Sequence, residues 1–195
     1  KYISEPYSMD IKISAELNSI ITYAREEAMR TGSYGIGPDH LLLGIIRHGE
    51  NNAYQALKGL EADLDQLKSF IDSRIFTNER IPYSELENIT FSRGAQNVLS
   101  LCILEATRLK SIEAGSQHLI LALCRTSGSY GQSYLRSTGI DYPRILTYME
   151  KHDLLGESRQ SDDKEQRQDN EEKEDSPNNA QTVEQNSELE EFGHD

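Results

Sequence analysis

Apolar side chains recur at three- and four-residue spacing along much of the chain, which is the periodicity of amphipathic helices. The first such stretch has its apolar positions at Leu17, Ile20, Ile21, Ala24 and Ala28. Ser14 precedes this stretch, where its hydroxyl can cap the first helical turn. The predicted helix ends near residue 32. Further helices are predicted from residue 39 to about 48, from 53 to 60, and from 63 to about 73. No stretch sustains the alternation that predicts a strand.

The same pattern returns 78 residues later, so the chain contains an internal repeat. Identical pairs in this register include Ser14 with Ser92, Glu27 with Glu105, Arg30 with Arg108, Gly37 with Gly115, His40 with His118 and Arg47 with Arg125. The second copy predicts helices over residues 92–110, 116–126, 132–138 and 141–151. The predicted fold is therefore all-α: two tandem, pseudo-twofold four-helix repeats, about eight helices, in one globule.

These patterns divide the chain into five predicted segments. Residues 1–12 are an N-terminal extension, 13–75 the first repeat, 76–90 a linker, 91–152 the second repeat, and 153–195 an acidic tail. The tail is almost entirely polar and holds too few apolar groups to offset the entropy of ordering it. It is predicted to be disordered.

Charge is concentrated in that tail. The net charge is −13, and residues 154–195 contribute 4 − 14 = −10 of it. The rest of the chain shows no basic stripe that could displace counterions from phosphates, so nucleic acid is not an expected partner. The longest apolar run, residues 41–46, is far shorter than the roughly 20 residues that cross a bilayer, and no membrane association is expected. Two free cysteines, Cys102 and Cys124, are typical of the core of a cytoplasmic protein.

One motif and its echo carry a family resemblance. Residues 36–44 read IGPDHLLLG, followed by Arg47, Gly49 and Glu50, and residues 114–122 read AGSQHLILA. The motif, its duplication and its spacing resemble the Clp amino-terminal repeat family, and within it the ClpC type, over about residues 13–151. The resemblance implies a monomeric helical domain that precedes AAA+ ATPase modules of a hexameric protein unfoldase. Its implied partners are protein substrates and adaptor proteins.

Catalysis is not expected of this chain. No Gly is followed by Lys, so the phosphate-binding G-x-x-x-x-G-K-[ST] motif is missing, and ATP and Mg²⁺ are expected only in a downstream ATPase module. Residues 187–195, SELEEFGHD, resemble the segment that opens such a module, which predicts that the chain leads into one. The alternative is a stand-alone Clp-repeat binding module without a motor. An enzyme in the groove between the repeats is disfavoured, because no nucleophile or base has an activating neighbour in the sequence.

The resemblance also implies a ligand pocket. Some ClpC proteins bind phosphorylated arginine through an acid at this motif position of each repeat and a hydroxyl at the start of the first helix. By position, Asp39 with Ser14 would form one pocket, and Ser92 with Gln117 a degenerate second one, because an amide cannot form the ion pair. A purely structural role for Asp39 at a helix N-terminus is the alternative.

The motif also holds two histidines that repeat in register. His40 and His118 lie on the most apolar helix of each repeat, three residues after Gly37 and Gly115. They are predicted to be buried and hydrogen-bonded to backbone, where they pin the preceding loop. No metal site is predicted.

Overall fold

Eight α-helices account for most of residues 11–159, the part of the chain that the computed structural model describes. The first repeat contains α1 (Ala15–Arg30), α2 (Pro38–His48), α3 (Asn52–Gly59) and α4 (Leu64–Ile75). The second repeat contains α5 (Arg93–Arg108), α6 (Ser116–Arg125), α7 (Tyr130–Ser137) and α8 (Tyr142–Lys151). The all-α prediction is confirmed.

Side-chain caps fix where most of these helices begin. The capping residues, each of which accepts a hydrogen bond from a backbone N–H of the first turn, are Ser14, Asn51, Asp63, Ser92, Ser129 and Asp141. Such a cap satisfies one of the N–H groups that have no partner inside the helix. Helices α3 and α7 begin one and two residues earlier than their predicted starts, because Asn51 and Ser129 are the caps.

Within residues 11–159, four strands of two residues each, which the sequence pattern did not predict, join the two repeats. They are β1 (Lys12–Ile13), β2 (Gly35–Ile36), β3 (Thr90–Phe91) and β4 (Glu113–Ala114). Strand β1 pairs in parallel with β4, and β2 pairs in parallel with β3. The strand before the first helix of each repeat therefore pairs with the strand before the second helix of the other repeat.

Helices α2 and α6 lie at the centre of the core. Leu41 and Ile45 of α2 and Leu119 of α6 are fully buried, and α1 and α5 pack against these central helices. Gly44 allows α1 to approach α2 closely, since an added Cβ would lie only 2.7 Å from the carbonyl oxygen of Ile20. Burial of these two nearly all-apolar helices contributes directly to the hydrophobic stabilisation of the fold.

The segments outside the helices are more structured than predicted. Ile11 is buried and leads directly into β1, so part of the predicted extension belongs to the fold. The linker between the repeats contains a 3₁₀-helix, Tyr83–Asn88, flanked by the buried side chains of Ile81 and Ile89. Residues 1–10 and 160–195, with most of the predicted extension and acidic tail, lie outside the described residues.

Candidate functional site

Each of the two motifs begins in a loop, termed here the motif loop, that contains Gly37 in the first repeat and Gly115 in the second. A histidine three residues further along holds each motif loop in place. The Gly37 N–H donates to Nδ1 of His40 at 2.9 Å, and the Gly115 N–H donates to Nδ1 of His118 at 3.0 Å. Both rings are buried. Since Nδ1 accepts in each ring, the neutral imidazole carries its proton on Nε2.

The second ring nitrogen finds a hydroxyl in both repeats. Nε2 of His40 lies 2.9 Å from Oγ1 of Thr31, and Nε2 of His118 lies 2.8 Å from Oγ of Ser111. Thr31 and Ser111 are not equivalent in the repeat register, so alignment of the two repeats does not reveal that they have the same role. Burial lowers the pKa of both histidines to about 4, so they are neutral at physiological pH.

Asp39 links the first motif to the second repeat. Its carboxylate accepts hydrogen bonds from the backbone N–H groups of Tyr130 at 3.0 Å and Gly131 at 2.8 Å, the first two residues of α7. The residue is only 7% exposed, and burial raises the pKa of its carboxyl against the lowering effect of these two bonds. Asp39 therefore acts as a helix cap contributed by the other repeat.

The second motif performs the equivalent task with a different residue. Ser116 accepts a hydrogen bond from the N–H of Ala53 in α3 at 3.1 Å, and Ala53 corresponds to Gly131 in the repeat register. Gln117, the counterpart of Asp39, instead donates from Nε2 to the carbonyl of Leu155 at 2.9 Å. The hydroxyl of Ser116 thus frees the side chain at position 117 for another contact.

The two serines of the predicted pockets lie beside the opposite motifs from those inferred by position. Both cap their own helices, Ser14 through the N–H of Leu17 and Ser92 through that of Ala95. The backbone N–H of Ser14 donates to Ala114 at 2.9 Å, next to the second motif. That of Ser92 donates to Ile36 at 3.0 Å, next to the first motif. The crossed strand pairing is the physical reason: it brings Ser92 towards Asp39 and Ser14 towards Gln117.

Two buried carboxylates, which sequence reasoning did not single out, fasten the first helix of each repeat. Glu27 and Glu105 are each 3% exposed. Glu27 pairs with Arg30 at 2.7 Å and lies 3.7 Å from Arg47. In the second repeat the partners are the register equivalents Arg108 and Arg125, at 3.4 and 2.6 Å. The alignment of the two repeats contains a sign of these clusters, because the acid and both arginines are identical in the two repeats.

Each of the two clusters has an additional partner. Tyr142 donates its hydroxyl proton to Oε2 of Glu105 at 2.7 Å, while Arg30 of the first cluster pairs with Asp72 at 2.8 Å. A buried carboxylate stays charged only when such donors surround it, so both clusters hold helix positions firmly.

Among residues 11–159, no group of three or more His, Cys, Asp or Glu side chains is placed to hold a metal ion. None of the helices in that range combines the length and apolar character needed to cross a membrane.

The family model for the Clp repeat (R) N-terminal domain matches residues 12–182. The chain belongs to this family. The Clp repeat domain is 27% identical over 129 residues to the negative regulator of genetic competence ClpC/MecB of Bacillus subtilis (strain 168), a match that covers 66% of the chain.

Two other relatives extend the comparison. The ATP-dependent Clp protease ATP-binding subunit ClpA homolog CD4B, chloroplastic, of Solanum lycopersicum is 29% identical over 156 residues, or 80% of the chain. The matches span 15% and 16% of these two relatives' own lengths. The crystal structure of the Hsp104 N-terminal domain from Candida albicans superposes with a TM-score of 0.59 at 18% identity, covering 77% of this chain and 99% of that one. That structure shows the shared fold.

The cap from Asp39 can be tested by an isosteric change. Asp39→Asn should lower the free energy of unfolding of the Clp repeat domain by about 1–2 kcal/mol, because one amide oxygen faces two N–H donors. Urea unfolding at pH 7 measures the loss. Asp65→Asn is the matched control, since Asp65 is an exposed acid in the first turn of α4, and it should change stability by less than about 0.5 kcal/mol. Equal losses in the two variants would contradict the capping role.

The buried histidines predict a pH dependence. An unfolded histidine takes up a proton near pH 6.5 and these folded ones only near 4, so their contribution is complete above 6.5 and is lost as the pH falls towards 4. Each should contribute about 2 kcal/mol to a fall in the free energy of unfolding between pH 7.5 and 5. The raised pKa of Asp39 acts in the opposite sense.

Urea unfolding curves at several pH values measure this slope. His118→Asn retains an acceptor for the Gly115 N–H and removes one titrating group, so it should remove about half of the pH dependence. A wild-type stability that is constant from pH 7.5 to 5 would show that the histidines are not held neutral.

Proposed function

We propose that the Clp repeat domain binds protein substrates or adaptor proteins for an ATP-driven Clp chaperone or protease. The observation that carries this proposal is the family match together with its extent: the chain corresponds to about 15% of relatives named as a Clp regulator and as an ATP-binding subunit of a Clp protease. A domain that makes up so small a share of a larger protein is suited to recruiting substrates or adaptors to it. A cytoplasmic location and a hexameric parent stay predictions from the sequence.

The geometry of the motifs supports binding over catalysis. Asp39 and Ser116 engage backbone groups of the opposite repeat, and His40 and His118 engage their own loops. The lowered pKa of the two histidines makes them weak bases at neutral pH, so they are poorly suited to general-base catalysis. The buried polar side chains of the two motifs thus stabilise the fold, and partners would contact the outer surfaces of the domain.

Phosphorylated arginine is the more specific ligand that the resemblance implies. In the first half, both carboxylate oxygens of Asp39 already accept an N–H, and the residue is largely buried, so a guanidinium would have to use the remaining lone pairs. In the second half, Gln117 offers an amide group. These contacts support an unmodified protein segment as the partner more than a phosphoarginine.

Calorimetry with free phosphoarginine tests that preference. We expect no binding heat at millimolar ligand with the wild-type chain, because the carboxylate is already engaged. A saturable heat that Asp39→Asn abolishes, and that Asp65→Asn leaves intact, would instead establish a phosphoarginine site at the first motif.

Competition tests the recruiting function itself. A large molar excess of the 195-residue chain should slow, by at least about threefold, the degradation of a recruited substrate by a Clp ATPase–protease that carries its own copies of this domain. The ATPase rate without substrate should not change. A synthetic peptide of residues 160–195 is the control for non-specific effects of the acidic stretch. Unchanged degradation at saturating excess would contradict the proposal.

A further inference from the structure

The chain turns back onto both repeats shortly after α8. Residues 154–157, termed here the return segment, have three of their backbone carbonyls bound by groups of the body. Leu154 accepts from Nδ2 of Asn52 at 2.9 Å, and Leu155 accepts from Nε2 of Gln117 at 2.9 Å. Glu157 accepts from the backbone N–H of Ile112 at 3.2 Å.

These contacts recognise main chain. Two of the donors are side-chain amides from different repeats, Asn52 at the start of α3 and Gln117 in the first turn of α6, and the third is a backbone N–H just before β4. All three acceptors are carbonyl oxygens, so these hydrogen bonds do not depend on the side chains of the occupant. The half-buried side chains of Leu154 and Leu155 add apolar contacts with the core. A small cavity of about 120 Å³ remains between Ile112, Gln117 and the return segment.

Gly156 is also important for how the return segment fits. Gly156 has a φ of +86°, and an added Cβ would lie 3.0 Å from Nε2 of Gln117. Any other residue there would be strained and would press against the amide that binds Leu155.

The repeat register explains why Gln117 is available for this contact. Its counterpart Asp39 is an acceptor and caps α7, whereas the amide of Gln117 presents a donor to a carbonyl. A carboxylate at position 117 would repel the Leu155 oxygen. Because Ser116 caps α3 in its place, position 117 can carry a donor without leaving the Ala53 N–H unpaired.

We propose that the surface formed by Asn52, Ile112 and Gln117 is a binding site for the backbone of a peptide segment. The return segment is its resident occupant, and a segment of a protein partner binds there by displacing it. The partner's identity as a protein rests on the proposed function, but the existence of the site does not.

Loosening the resident segment is the first part of the test. Gln117→Ala and Gly156→Ala should each speed hydrogen exchange of the Ile112 N–H by about five- to tenfold, since each weakens the same contact. The double variant should show little further increase over either single one. The Ser14 N–H, bound to Ala114 in the adjacent strand pair, should keep its exchange rate and so report that the body is intact. Gly128→Ala is the matched control, with a φ of +106° and no atom within 4 Å of an added Cβ.

Rebinding in trans is the second part. A synthetic peptide of residues 152–159, added to full-length Gly156→Ala, should shift the Ile112 amide resonance and restore its protection. The same peptide should have no effect on the Gln117→Ala,Gly156→Ala double variant. Unchanged Ile112 exchange in both single variants would overturn the proposal. Faster exchange without any response to the peptide would also overturn it, since the return segment would then be a fixed anchor. Both outcomes leave the degradation competition result unaffected.

Discussion

The fold depends on the mutual capping of the two repeats. Asp39 of the first repeat binds the free N–H groups at the start of α7, and Ser116 of the second repeat binds one at the start of α3. The crossed pairs β1–β4 and β2–β3 lie beside these contacts. Each such hydrogen bond contributes a net of about 0.5–1.5 kcal/mol, so a repeat separated from its twin would lose several of these contributions as well as its apolar interface. Duplication alone therefore does not make each half self-sufficient.

The residues that are identical in both repeats and those that differ between them have different roles in this fold. The histidine pins and the clusters around Glu27 and Glu105 occur in both halves and hold each motif loop and first helix in place. Asp39 and Gln117 break the symmetry: one binds a helix start and the other binds a returning chain. The difference makes the two motifs chemically distinct, although their residues occupy equivalent positions in the repeat register.

Much of this architecture could be predicted from the sequence because it depends on local periodicity. The apolar spacing located all eight helices in the described residues, and the identical motif positions marked the repeat. The strand pairs could not be predicted, since two residues are too few to show alternation. The partner of Asp39 lies some 91 positions away in the chain, and the repeat register relates Ser14 to Ser92 without saying which motif either one faces.

The buried acids show a different kind of failure. Glu27 and Arg30 have the spacing of solvent-exposed charges on one helix face, and Arg47 lies on the next helix. A charge pattern alone gives no sign that the acid is buried. Only the exact recurrence of all three residues in the second repeat distinguished them from ordinary surface charges, and that recurrence is explained by packing rather than by ligand binding.

Cooperativity between the repeats is the central claim, and denaturant-dependent hydrogen exchange tests it most directly. Leu43 in α2 and Leu121 in α6 are register equivalents, buried at the core of their own repeats. If mutual capping makes the two halves one folding unit, both amides should exchange with the same free energy and the same denaturant slope as global unfolding. Two different free energies, with one repeat opening while the other stays protected, would contradict the account.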